Sequence, residues 1–253
     1  ILNSGYDIAK KYIEENSNLE NYKFYIEKLF RYEKYTLSEK EEQIISVAAN
    51  TFGTPDDAFY NLDNTDIDLG YIKDENGNEV KLNNSNYNLY MNSENRKVRK
   101  NAFEAMYKFW KKHIHVVASL LKGNIKENFF FSKVKGYNSP LEMSLYKDNI
   151  PLSLYKNVIN VTHDNFKYLH EYMKIRKEYL KLDEMHTYDI YTPITKDINK
   201  NIPFEEGKKM VFESLKPLGD KYINDLEKAF TDRWIDKYPN LGKKSGAYQW
   251  STY

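Results

Sequence analysis

A hydrolytic zinc centre needs two histidines on one helical face, a turn apart, with a glutamate beside them to activate the metal-bound water. This chain has five histidines. His170-Glu171-Tyr172-Met173-Lys174 begins correctly and then fails, because Lys174 stands where the second ligand belongs and an ammonium has no lone pair to give a metal. His163 lies seven residues before His170, which at about 1.5 Å of rise per residue separates them by roughly 10 Å along a helix. Two ligands each about 2 Å from one zinc cannot lie that far apart. His113 and His115 point to different faces of a helix. There is no cysteine, so no thiolate site arises, and these residues alone build no zinc centre.

Two other stretches have the residue types for binding. Asp183-Glu184-Met185-His186-Thr187-Tyr188-Asp189-Ile190-Tyr191 gathers acids, a histidine and tyrosines. His186, Tyr188 and Tyr191 are candidates for lining a polar cleft, although such a run can equally be a loop that satisfies its own backbone. Near the C-terminus, Gly246 and Ala247 leave room for another backbone to approach, and Tyr248 and Trp250 alternate with Ala247 and Gln249 as strand faces do. An edge strand of this kind binds an extended peptide through main-chain hydrogen bonds. The competing reading of Gly246, Ala247 and Tyr248 is a core strand that uses the glycine for packing. No serine or cysteine nucleophile arrangement stands out, and Gly123 reads as a glycine tolerated within a helix.

These groups need a scaffold, and the sequence writes it mostly as helix. Ser38-Glu39-Lys40-Glu41 offers a capping box, Thr54-Pro55-Asp56-Asp57 a second helix start, and Ser93-Glu94 a third. From there Val98, Ala102, Met106, Phe109, Trp110, Ile114, Val117, Leu121 and Ile125 form one apolar stripe on a single long helix. A second long helix after Pro151 carries Val158, Val161, Thr162, Phe166, Leu169, Met173 and Leu180 on its inner side, and a later one breaks at Pro217-Leu218-Gly219-Asp220. Asn76-Gly77, between Tyr71–Glu75 and Asn78–Leu82, predicts a tight two-residue hairpin. The hairpin is the best boundary, dividing residues 1–82 from residues 83–253. Aromatics make up 15 % of the chain and charged residues 30 %, which disfavours disorder. The longest apolar stretch, around Val116 to Leu121, is far short of the roughly 18 residues of a membrane span. A net charge of +1 argues against a nucleic-acid partner.

Several stretches, taken in order, are similar to the oligoendopeptidase F family, bacterial relatives of the thimet-type zinc peptidases. Tyr22-Lys23-Phe24-Tyr25-Ile26-Glu27 and Leu37–Glu42 resemble that family's N-terminal helical lobe. Arg96–Ala105, Gly136–Glu142 and Asp148-Asn149-Ile150-Pro151 follow in the family's order, with Ser93 where many relatives carry an acid. The acid-x-His-x-Tyr-Asp-x-Tyr run around His186 and the terminal Arg233–Asn240 and Gly242–Tyr253 complete the likeness. The resemblance implies a mainly α, zincin-like or neurolysin-like architecture with one β-hairpin and a C-terminal edge strand, incomplete in this chain. It implies a parent metalloendopeptidase that cuts short peptides, with zinc held by two histidines and a downstream glutamate beyond Tyr253. This chain would then bind no zinc itself and supply cleft wall and substrate strand, with Gly246, Ala247, Tyr248, His186, Tyr188 and Tyr191 as substrate-binding residues.

The expected partners are short peptides and the C-terminal part of the same protein, with no nucleic acid and no membrane. The absence of cysteine favours a reducing, cytoplasmic setting. The alternative is a non-enzymatic helical peptide-binding or scaffold module. Either way, walls made to receive a central helix leave an apolar patch near Tyr248, Trp250 and the helix after Pro151. The chain by itself is expected to carry no stoichiometric zinc. Metal analysis checks this, and one zinc per chain that disappears in a His163→Ala or His170→Ala variant contradicts it.

Overall fold

The computed structural model of the chain describes residues 5–194, 202–238, 243–244 and 246. Capping chemistry explains where many helices start and stop. The helices α1 (Tyr6–Glu15), α2 (Lys23–Arg31), α3 (Glu39–Phe52) and α4 (Thr54–Asn64) precede the sheet. The expected capping box opens α3: the Ser38 amide donates to Glu41 Oε2 at 3.0 Å and the Glu41 amide to Ser38 Oγ at 3.5 Å. Thr54 does not cap α4; it is already helical, and its hydroxyl donates back to the Thr51 carbonyl at 2.9 Å.

Strands β1 (Tyr71–Lys73) and β2 (Glu79–Lys81) pair antiparallel, with Ile72 opposite Val80. Their connection is longer than the two-residue turn expected. The Asp74 amide donates to the Asn78 carbonyl at 3.0 Å, while the Asp74 carboxylate accepts from the amides of Asn76 and Asn78 at 2.9 and 2.8 Å. Gly77 takes φ +83°, the left-handed region that favours glycine. The aspartate thus widens the turn by competing for amides that a two-residue hairpin leaves to the backbone.

The expected long helices are each broken in two. The first becomes α6 (Arg96–Lys112) and α7 (Ile114–Val134), following α5 (Asn84–Met91). His113 at the break has φ −104° and ψ 12°, and the run after it, Ile114-His115-Val116-Val117, is poor in strong helix formers. The stripe accordingly divides: Val98, Ala102 and Phe109 are buried, whereas Ile114, Leu121 and Ile125 are exposed. The second becomes α9 (Leu152–Asp164) and α10 (Phe166–Tyr179), after α8 (Pro140–Tyr146). Thr162 and Asn165 donate side-chain hydrogen bonds to the carbonyls of Val158 and Val161, both at 2.7 Å, a substitution for ladder bonds that bends helices. The anticipated inner side of α9 is exposed, with Val158 58 % and Val161 50 % accessible. Tyr248 and Trp250, the other part of the expected apolar patch, lie outside the described residues.

Three helix ends share one C-terminal motif. Gly136, Asn149 and Lys181 have φ of +80°, +56° and +53°. In each case the next residue's amide reaches five residues back: Tyr137 to Ser132 (2.8 Å), Ile150 to Leu145 (3.0 Å) and Leu182 to Lys177 (3.1 Å). These are Schellman caps. The break at Pro217 also forms as expected, between α11 (Phe204–Leu215) and α12 (Asp220–Thr231), with Gly219 at φ +90° preceding Asp220.

The described elements fall into two compact units, and the hairpin lies inside one of them instead of between them. The first comprises residues 1–61 and 113–170, the second residues 62–112 and 171–253. In the first, Tyr35 stacks on Tyr137 at 3.6 Å, with Tyr146 edge-on to both. Gly123 of α7 is no merely tolerated glycine: a Cβ there would stand 2.8 Å from the Pro55 ring. In the second, Leu69, Ile72, Leu82, Met91, Ala102, Phe109 and Tyr188 form one buried cluster. Among the described residues the chain is mainly α with one two-stranded hairpin, as expected, the expected C-terminal edge strand from Ala247 onward lies outside them, and no described helix is long and apolar enough to cross a membrane.

Two glycine substitutions of opposite sign follow. Gly207→Ala in α11, whose nearest non-neighbour atom is 3.8 Å away, should stabilise by about 0.5–1 kcal/mol through helix propensity. Gly123→Ala gains the same propensity but overpacks a rigid ring, at about 1–3 kcal/mol, so its urea midpoint should fall. A higher midpoint for Gly123→Ala would show that α7 and Pro55 part freely.

Candidate functional site

The loop after α10 carries His186, Tyr188 and Tyr191, and a charged network fixes it. The Schellman cap at Lys181 turns the chain out of α10, and a short 3-10 turn covers Thr187–Asp189. Asp189 is fully buried. Its carboxylate accepts from Arg99 Nη2 at 2.8 Å, from Arg96 Nη2 and Nε at 2.9 and 3.1 Å, and from the His186 amide at 3.0 Å.

Arg96 and Arg99 are three residues apart in α6, so one helical face delivers both guanidiniums. That helix begins at Arg96, two residues past the expected Ser93-Glu94 start; Asn95 Oδ1 accepts from the Lys97 amide at 3.0 Å. Ser93 and Glu94 instead give their carbonyls to Arg99 Nη1, at 2.7 and 3.0 Å. Arg99 Nε donates to the Tyr188 carbonyl at 3.0 Å, and Arg176 Nη2 to the carbonyls of Thr192 and Asp189 at 2.6 and 3.3 Å.

Burial pushes the Asp189 carboxyl up. The hydrogen bonds from Arg96, Arg99 and the His186 amide outweigh it and hold the group at about 2, against a usual 3.8. The network therefore anchors the loop at neutral pH with a permanently charged carboxylate.

His186 and Tyr188 come together: their rings stack at 5.0 Å and 16°. The two have different surroundings. Tyr188 is buried in the apolar cluster, with the Arg96 guanidinium 5.4 Å from its ring centre and Phe103 edge-on at 5.7 Å. His186 is exposed, its Nε2 3.7 Å from Glu184 Oε2. Both border an open depression of about 670 Å³ that Lys100, Phe103, Glu104, Tyr107, Lys108 and Lys111 of α6 complete. Tyr191 does not join them. It is 63 % exposed and acts on Tyr87, whose hydroxyl is pushed to about 12 by burial first, then by Tyr107 and Tyr191.

Gly246 is exposed in a bend at φ +124°, with nothing within 4 Å of a Cβ built on it. Glycine is required there by backbone conformation. Ala247 and Tyr248 lie outside the described residues. The three arginines escaped the reading of the sequence, yet a signal existed. The chain has only five arginines among 38 basic residues, and a planar guanidinium is what a buried carboxylate demands.

Asp189→Asn should destabilise the chain by about 3–5 kcal/mol, since it strands two guanidiniums beside a neutral group. A loss below about 1 kcal/mol in urea unfolding would contradict the anchoring role. The folded-state value lies below the unfolded one, so the contribution is complete above about pH 4 and disappears as pH falls towards 2. The wild type should therefore lose about 2 kcal/mol over that window, and Asp189→Asn should show a correspondingly flatter acid limb.

A sequence model of Peptidase family M3 matches residues 89–253, and one of Oligopeptidase F matches residues 1–68. Oligopeptidase PepF of Bacillus subtilis is 38 % identical over 253 residues, all of this chain and 38 % of that protein. An oligoendopeptidase F homolog of Lactococcus lactis is 33 % identical over 247 residues, 98 % of this chain and 41 % of its own length. The crystal structure of oligoendopeptidase-F from Enterococcus faecium superposes with a TM-score of 0.70 at 33 % identity, covering 89 % of this chain and 42 % of that one. The chain thus spans about two fifths of the length of these relatives. With the M3 match running from α5 to the last residue and the Oligopeptidase F match preceding it, the chain belongs to peptidase family M3, in its oligoendopeptidase F branch.

Proposed function

We propose that this chain is part of a zinc-dependent, cytoplasmic metalloendopeptidase acting on short peptides, and that it contributes cleft wall and a substrate-binding strand. Family membership across residues 89–253 is the observation that carries the reading. Gly246, Ala247 and Tyr248 supply main-chain contacts to an extended substrate, while His186 and Tyr191 offer exposed polar groups from an anchored loop. Tyr188 supports His186 from beneath.

The donors present do not fit the zinc. Among the described residues no three His, Cys, Asp or Glu side chains converge. His163 and His170 belong to different helices, with the Phe166 ring 5.2 Å from one and 6.1 Å from the other. In this reading other residues of the parent protein supply the metal ligands and the general base, and the role of the chain is to bind and orient the peptide. Holding a substrate backbone against a fixed wall lowers the entropic part of the barrier.

The test uses the parent protein and a quenched fluorogenic peptide. The parent should cleave it, lose activity to a zinc chelator and recover it with added zinc. Tyr248→Ala should raise KM at least severalfold, because it loosens the substrate strand. Cleavage indifferent to chelator, or kinetics unchanged in Tyr248→Ala, would remove the zinc or the strand assignment respectively.

A further inference from the structure

We propose that the depression beside His186 receives the acidic end of a peptide, with Lys108 and Lys111 holding its carboxylate over a floor of Phe103, Tyr107 and Tyr188. This rests on the peptide-binding reading above and names the substrate class for that site.

Charge is uneven along the depression. Lys100 pairs with Glu104 at 3.7 Å, and Glu184 stands 3.7 Å from His186, so positive charge near the start of α6 is offset. Lys108 and Lys111 are exposed, and among the described residues no carboxylate lies within ion-pair distance of either. They are three residues apart, which places both ammonium groups on one helical face within reach of a single carboxylate.

The floor is continuous and fixed. Phe103 and Tyr107 lie 4.3 Å apart, Phe103 meets Tyr188 at 5.7 Å, and the Tyr188 carbonyl is held by Arg99. Tyr188 is buried behind the other two, and the accessible faces of Phe103 and Tyr107 accept hydrocarbon stems and peptide planes. Lys111 lies eleven positions after Lys100 in α6, about 16 Å along the helix, a length that about five extended residues match. Glu104 in the middle opposes a uniformly anionic strand, so a nucleic acid fits less well than a peptide whose acids lie at one end.

Fluorescence anisotropy on the 253-residue chain tests this, using a fluorescein-labelled short peptide ending in two glutamates and its glutamine counterpart. At low salt the glutamate peptide should bind roughly tenfold more tightly. That preference should vanish in the Lys108→Gln/Lys111→Gln double variant, whose urea midpoint stays unchanged because both side chains are solvated. Tyr107→Ala should weaken both peptides alike. Equal binding of the two peptides, binding of neither, a preference that survives the double variant, or tighter binding of an oligothymidylate of matched length would each overturn the proposal. The parent's cleavage assay reads the peptidase assignment separately, since a parent that cleaves peptides without acid preference fails only the present inference.

Discussion

A carboxylate with no access to water is costly by several kcal/mol unless its charge and lone pairs are answered in place. Asp189 is answered by two guanidiniums and a backbone amide, and much of the second unit is arranged by that requirement. Both arginines must leave α6 on one face, which fixes the rotation of its first turn. The carbonyls of Ser93 and Glu94 must turn towards Arg99, which sets how the chain enters the helix. Arg176 then ties the carbonyls on the far side of Asp189 to α10. Polar geometry, more than apolar burial, decides where this loop sits.

That anchoring has a consequence for neighbouring side chains. Tyr188 precedes Asp189 directly and is driven into the apolar cluster, where its ring closes one edge. His186, two residues earlier, is left outside and rests on that ring. One short turn thus joins core and surface, and the exposed histidine inherits the rigidity of the buried aspartate. The depression along α6 takes its floor from the same arrangement, so binding geometry and folding stability share the same few residues.

Much of the fold was legible where the physics is local. Ser38 and Glu41 state a helix start within four residues, Gly77 states a left-handed turn, and Pro217 states a break. The helix interruptions at His113 and Asn165 were hidden, because the apolar spacing runs through both, and at Asn165 the disrupting bonds come from side chains that also occur in straight helices. Gly123 was misread since its reason, the Pro55 ring, lies 68 residues away in sequence. At the site, the run from Asp183 to Tyr191 drew attention for its residue types. Its organisation depends on Arg96, Arg99 and Arg176, which only the fold brings near. Gly246 was read as room for another backbone to approach, and what the structure adds is a φ of +124°, which favours glycine by itself.

The aromatic residues give both units optical signals of their own. Trp110 and Trp234, the two tryptophans among the described residues, belong to the second unit, whereas the face-to-face pair Tyr35 and Tyr137 belongs to the first. Burial, followed by the nearby Tyr32, Tyr35 and Tyr146, pushes the Tyr137 hydroxyl to about 12, so this phenol stays protonated in alkali that ionises ordinary tyrosines. Indole emission from Trp110 and Trp234 consequently reports on the second unit. The phenolate absorbance that appears late in an alkaline titration draws on both units, on Tyr137 in the first and on the half-buried Tyr87 in the second, so setting it beside the indole signal follows the two without any label.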